Sequence, residues 1–108
     1  MEKRLAKITS ASFGIGGYQD AQIGFFLGFE GEGWGIGTNR CDWALKRTKH
    51  CQWTEEDRIE NLGKIVMELN EILKAAKVDT VEKLIGKPVE VTLEGNSLKD
   101  WRILTEVL

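Results

Sequence analysis

A length of 108 residues, 42% hydrophobic and 30% charged, fits one ordinary globular domain. The formal net charge of −2 gives no electrostatic reason for a nucleic-acid partner. No apolar run approaches the roughly 18 residues of a membrane span, so no membrane partner is expected. The opening MEKRLAKITS lacks the apolar stretch of a secretory leader, and two cysteines do not make a disulfide framework. Both point to a reducing cytosol.

KRLAKITSASF, residues 3–13, reads as a first strand. Leu5 and Ile8 fall on opposite faces of a regular strand, so a bulge between them or burial of both faces is expected. GIGGYQD, residues 14–20, turns the chain, with Gly16 or Gly17 at positive φ. Strand two is then 21–30 and strand three 34–41, joined by the loop Glu30 to Gly33. Nine of the twelve glycines lie between 14 and 37. At a period of two, Ile23, Phe25, Leu27 and Phe29 share one face with Trp34 and Ile36. The other face carries Gly24, Phe26 and Gly28 beside Gly33, Gly35 and Gly37. A hairpin pairing Phe29 with Trp34 would place Gly28 opposite Gly35 and lay the Phe26 ring over Gly37. Strand glycines weaken a sheet, so strong coiling, a close neighbour or a bound partner should offset them.

DWALKRTKHCQW, residues 42–53, is a basic and aromatic connection. Thr54 with Asp57 has capping-box spacing and opens a helix over 55–77. Its stripe is Ile59, Leu62, Val66, Leu69, Leu73 and Ala76, widened by Ile65 and Ile72, while Glu60, Lys64, Glu68, Glu71 and Lys74 face water. Asp79 with Glu82 predicts a second, short helix, VEKLI, which Gly86 ends and Pro88 keeps from resuming. VEVTL, residues 89–93, alternates as a strand. A turn over 94–98 precedes a last strand, DWRILTEVL, with Trp101, Ile103 and Val107 on one face. The order β-β-β-α-α-β-β predicts an α+β fold: a mostly antiparallel five-stranded sheet with one long helix packed on its bulky face. The same order fits an OB-like barrel, in which a helix separates strands three and four.

FGIGGYQDAQIG, GWGIG, WTEEDRIENLG, KVDTVEKLIGKPVEVTLEG and WRILTEVL together span nearly the whole chain. They resemble a group of small uncharacterised proteins encoded by tailed bacteriophages, most specifically at GGYQD and LIGKPVEVT. The resemblance implies a phage origin and the host cytoplasm, and nothing about mechanism. The basic run Lys46 to His50 departs from the group's pattern.

The GIGGYQD loop has the glycine content of a phosphate cradle, but no Gly-Lys-Ser/Thr follows and it opens a strand rather than a helix. Its backbone amides could form an anion nest around Gly16 and Gly17, with Tyr18, Gln19 and Asp20 adding a stacking face and hydrogen bonds. The competing reading is a hairpin turn that needs positive φ, and loop statistics favour it. Cys41, His50 and Cys51, with Asp42, lack the paired ligand spacing of a zinc site, so no metal and no cofactor are expected. A Cys51–His50 dyad is disfavoured because adjacent side chains point apart. Arg40, Lys46, Arg47, Lys49 and His50, the last four bracketed by Trp43 and Trp53, form the one basic and aromatic cluster, the composition a single strand of nucleic acid would use. The competing reading is a solvated connection whose tryptophans cap the core.

With no recognisable catalytic set, the expectation is a non-enzymatic binding protein of phage origin. It would occupy a host protein or sequester a small ligand, as a host-takeover or counter-defence factor. The alternative is an OB-like binder of single-stranded nucleic acid. The candidate contact residues are Gly16, Gly17, Tyr18, Gln19, Asp20, Phe26, Arg40, Trp43, Lys46 and Arg47. The glycine-paved face predicts a homodimer or higher homo-oligomer, since a face without side chains leaves its backbone unshielded.

Overall fold

Alternation in strands and a capped amphipathic helix produce five strands and one long helix in the computed structural model, which describes residues 1–44 and 52–108. The strands are β1 (Glu2–Gly16), β2 (Gln22–Gly31), β3 (Trp34–Trp43), β4 (Pro88–Glu94) and β5 (Ser97–Ile103). The helix α1 spans Glu55–Ala76. Every strand pair is antiparallel, in the order β3-β2-β1-β4-β5. The sheet curls into a half-barrel, an α+β arrangement that fits an OB-like barrel.

β1 makes the curl. Glu2 to Lys7 pair with β4, while Lys7 to Gly16 pair with β2. A bulge between Ile8 and Ser10 bends the strand where it passes from one half-sheet to the other. Leu5 lies outside the core at 69% exposure, while Ala6 and Ile8 are buried. The bulge therefore falls after Ile8, and neither expected way of burying both Leu5 and Ile8 occurs. Beyond the bulge, Ala11, Phe13 and Ile15 return to the inner face, opposite Leu27, Phe25 and Ile23. Phe13 and Ile15 remain exposed on the β1 side of this end, whereas its β3 side meets α1 through Arg40 and Asp42. The radius of gyration of 15.2 Å exceeds the roughly 13 Å of a compact chain of this length, in keeping with an elongated shape of 47 × 32 × 21 Å.

The β2–β3 hairpin closes two residues later than expected. Phe29 pairs with Ile36 and Gly31 with Trp34, so Gly28 faces Gly37. The Trp34 indole lies on Gly31, where a β-carbon would collide with it. The shift is even, so every residue keeps its expected face. The Phe26 ring rests on Gly16, not Gly37: a β-carbon at Gly16 would stand 2.9 Å from Phe26 Cζ.

The capping box of α1 forms as its spacing requires. Thr54 Oγ1 accepts from the Asp57 amide at 3.0 Å, and Asp57 Oδ2 accepts from the Thr54 amide at 3.1 Å. The helix ends at Ala76, with Lys77 left-handed at φ 59°. Its buried residues are Ile65, Leu69 and Ala76. Ile59 and Val66, expected in the core, are 66% and 54% exposed. The helix is thus rotated so that Ile65 and Ile72, expected at its margin, line the core side. Residues 81–84 form a 3-10 turn rather than an α-helix, and the side chain of its N-cap residue, Thr80, makes no capping bond. Asp79 instead accepts from Lys83 Nζ at 2.7 Å. Gly86 ends this segment at φ +92°. β5 begins at Ser97 and stops at Ile103, so Val107 lies in a 3-10 turn, 65% exposed, rather than on the strand. The core between sheet and helix is centred on Phe29, Ile8, Ile65, Leu84, Val89 and Val91.

Candidate functional site

Two surfaces carry the candidate residues, one on each side of the sheet. The outer face follows from the ladder, since cross-strand partners share a face. Its rows are Ser10–Gly28–Gly37, Ser12–Phe26–Asn39, Gly14–Gly24–Cys41 and Gly16–Gln22–Trp43. It is a floor of small and neutral polar groups with Phe26 at its middle and Trp43 at its edge. Gly24 is required by close approach: a β-carbon there would strike the Arg40 carbonyl oxygen and the Cys41 backbone. The single S–H of Cys41 has two acceptors in reach, Gln22 Oε1 at 3.3 Å and Asn39 Oδ1 at 3.4 Å. Burial pushes its pKa up, the Asp42 carboxylate adds to this, and Arg40 opposes it. A raised thiol is a poor nucleophile near neutrality.

The turn beyond this face is tightly wound. Gly17 has φ 71° and ψ −158°, a region that only glycine adopts without strain. Gln19 and Asp20 are left-handed at φ 55° and 53°. The Asp20 amide donates to the Gly17 carbonyl and the Ala21 amide to the Tyr18 carbonyl, each at 3.2 Å. These two donors are consumed inside the turn, which weakens the anion-nest reading, and the Asp20 carboxylate adds negative charge beside it. Tyr18 stands out at 69% exposure. The Ala44 amide donates to the Ala21 carbonyl at 2.9 Å, holding the end of β3 against the turn.

The inner side holds the second surface. β3 and β5 are the two edges of the half-barrel, and α1 lies between them. Arg40 points here, not to the outer face. Its Nε donates to Glu68 Oε2 at 2.9 Å and its second guanidinium nitrogen to Asn61 Oδ1 at 3.3 Å. Asn61 Nδ2 in turn donates to Asp42 Oδ2 at 2.6 Å, and the Trp43 amide to Asp42 Oδ1 at 2.7 Å. This chain of polar contacts latches the helix to β3. The Arg40–Glu68 pair is 36% and 48% exposed, so its own contribution is about 0–1 kcal/mol. Beside the latch runs an open groove of about 390 Å³, bounded by Thr38, Asn39 and Arg40 of β3, Glu68, Glu71 and Ile72 of α1, Phe25 and Trp101.

The structure therefore brings Gly16, Phe26 and Trp43 together on the outer face, with Gly17, Tyr18, Gln19 and Asp20 at its end. It separates Arg40 from them. Lys46 and Arg47, with Lys49, His50 and Cys51, lie outside the described residues. Cys41 and Asp42 face opposite sides of the sheet, and Asp42 is engaged by Asn61. Among the described residues, no group of three His, Cys, Asp or Glu side chains is placed to hold a metal ion, and no helix is long and apolar enough to cross a membrane. Sequence reasoning missed the groove. Glu68 and Glu71 read as a solvated helix face, and Trp101 reads as an ordinary strand residue. Arg40 and Glu68 stand 28 positions apart, so no local pattern links them. No protein-family model, curated protein or solved structure matches this chain.

Proposed function

We propose that this chain is a non-enzymatic binding protein of phage origin, acting in the host cytoplasm by occupying a host protein or holding a small ligand. The origin and the setting rest on the resemblance, and the observation that carries the binding role is the outer face of β1, β2 and β3. It is a continuous floor of Ser10, Ser12, Gly14, Gly24, Gly28 and Gly37 around Phe26, and α1 packs on the opposite side. Such a floor lets another backbone or a flat ring approach closely. Phe26, Tyr18 and Trp43 supply apolar contact, and Gln22 and Asn39 supply neutral hydrogen bonds. A role in host takeover or counter-defence rests on the resemblance to phage proteins alone.

The test is native mass spectrometry of the protein recovered from phage-infected cells, alongside its Phe26→Asp variant. A retained mass that is lost with Phe26→Asp supports the proposal. A mass retained equally by both proteins places binding elsewhere.

The second reading, a binder of single-stranded nucleic acid, is supported by the curled five-strand order with a helix between β3 and β4. The engagement of Arg40 by Glu68 weighs against it. Filter binding of labelled oligonucleotides decides. Tight, salt-sensitive retention favours this reading, and none at low salt ends it.

A further inference from the structure

We infer that the groove between β3 and α1 takes an extended peptide that adds to the free edge of β3, with an apolar and a basic residue alternating toward the helix. Three observations converge on it. β3 pairs only with β2 among the described residues, so its far edge presents unpaired backbone donors and acceptors. The groove is bounded by three consecutive β3 residues, Thr38, Asn39 and Arg40. Thr38 and Arg40 line it from the inner face, with Phe25 of β2 behind them, and Asn39, which points the other way, brings it to the strand's edge, so the cavity opens from the inner face onto that edge.

The third observation is the chemistry of the far wall. An added strand would lie about 4.8 Å from β3, with alternate side chains directed to the inner side beside Thr38 and Arg40. There they meet two different surfaces. Phe25, Ile72 and Trp101 form an apolar seat, the Trp101 ring resting 5.0 Å from that of Phe29. Glu68 and Glu71 supply carboxylates. Glu68 already serves Arg40, whereas Glu71 makes no ion pair among the described residues. Two carboxylates against one guanidinium leave the groove net negative, which selects lysine or arginine over glutamate. The occupant is therefore a segment reading apolar, any residue, basic, or the reverse. Main-chain bonds would supply the docking, and the two pockets the choice of side chain. This surface lies across the sheet from Phe26, so the inference stands apart from the outer-face proposal.

The test uses the full chain and an array of blocked peptides of the form Thr-apolar-Thr-X-Thr and its reverse. The apolar residue is Leu, Val or Phe, and X is Lys, Arg, Gln or Glu. The strongest binder is then titrated by fluorescence anisotropy. Lysine or arginine peptides should bind about five- to tenfold more tightly than their glutamate counterparts. Glu71→Lys should reverse that order, and Phe26→Asp should leave it unchanged. Methylating the peptide's backbone nitrogens one at a time should abolish binding at alternate positions only, as strand addition requires. The inference is overturned if no peptide in the array binds, or if Glu71→Lys leaves the charge preference intact. It is also overturned if Phe26→Asp is the variant that removes binding, a result that would leave the outer-face proposal standing.

Discussion

The rotation of α1 can be tested by truncating two of its side chains in parallel. Leu69 is 9% exposed and belongs to the core cluster, whereas Val66, one turn away, is 54% exposed. Leu69→Ala removes three carbons from an apolar site, worth about 2.4 kcal/mol at roughly 0.8 kcal/mol per buried methylene. The cavity left behind adds to this, giving about 3 kcal/mol and placing the variant inside the usual Leu→Ala range of roughly 2–5 kcal/mol. Val66→Ala removes two carbons already half in water and leaves no enclosed void. Its cost should stay near about 0.5 kcal/mol, with alanine's better helix propensity offsetting part of it. Urea unfolding followed by circular dichroism at one protein concentration measures both, and an unchanged slope licenses the comparison. A Leu69→Ala loss below about 0.5 kcal/mol, or equal losses for the two variants, would mean that the helix presents a different face to the sheet.

Gly17→Val should destabilise the protein by roughly 1–3 kcal/mol, more than Tyr18→Ala, because Gly17 occupies a backbone region closed to other residues; parallel urea midpoints give the order. The outer face should support self-association. Sedimentation at micromolar concentration that finds only a 12.2 kDa species excludes this, and a dimer indifferent to Phe26→Ala and Gly35→Leu uses another surface. The carboxylate of Glu106 is held down to about 2 by hydrogen bonds from Arg102 at 3.0 Å. A depressed folded-state pKa stabilises above the ordinary value of 4.5 and is lost as pH falls toward about 2. The C-terminal turn should therefore fray across that window before the core responds; amide signals of Glu106 and Val107 that stay fixed from pH 5 to pH 2 would contradict the clamp. Asn61→Ala should loosen the link between α1 and β3 while costing little in global stability, visible as faster amide exchange at the start of the helix.

What the sequence determined was local or periodic. Thr54 and Asp57 find each other across three residues, so the start of α1 was legible before any fold existed. Gly17 at its special backbone angles answers to a turn that only glycine tolerates. The faces of β2 and β3 followed from a period of two, and they survived a hairpin register two residues away from expectation because an even shift preserves parity. Tertiary structure decided what periodicity leaves free. The apolar stripe of α1 is wider than the surface it covers, so the curl of the sheet chose Ile65 over Val66. The twist of the ribbon, not its alternation, set the Phe26 ring on Gly16. Arg40 sits in a basic cluster by its neighbours in sequence, yet it turns inward to Glu68 and Asn61. The groove beside it lies where α1 packs against β3 and β5, the two edges of the curled sheet, neither of which has a further strand partner among the described residues. Contacts of that kind join residues far apart in the chain, and their partners are set by curvature, which no short stretch of sequence encodes.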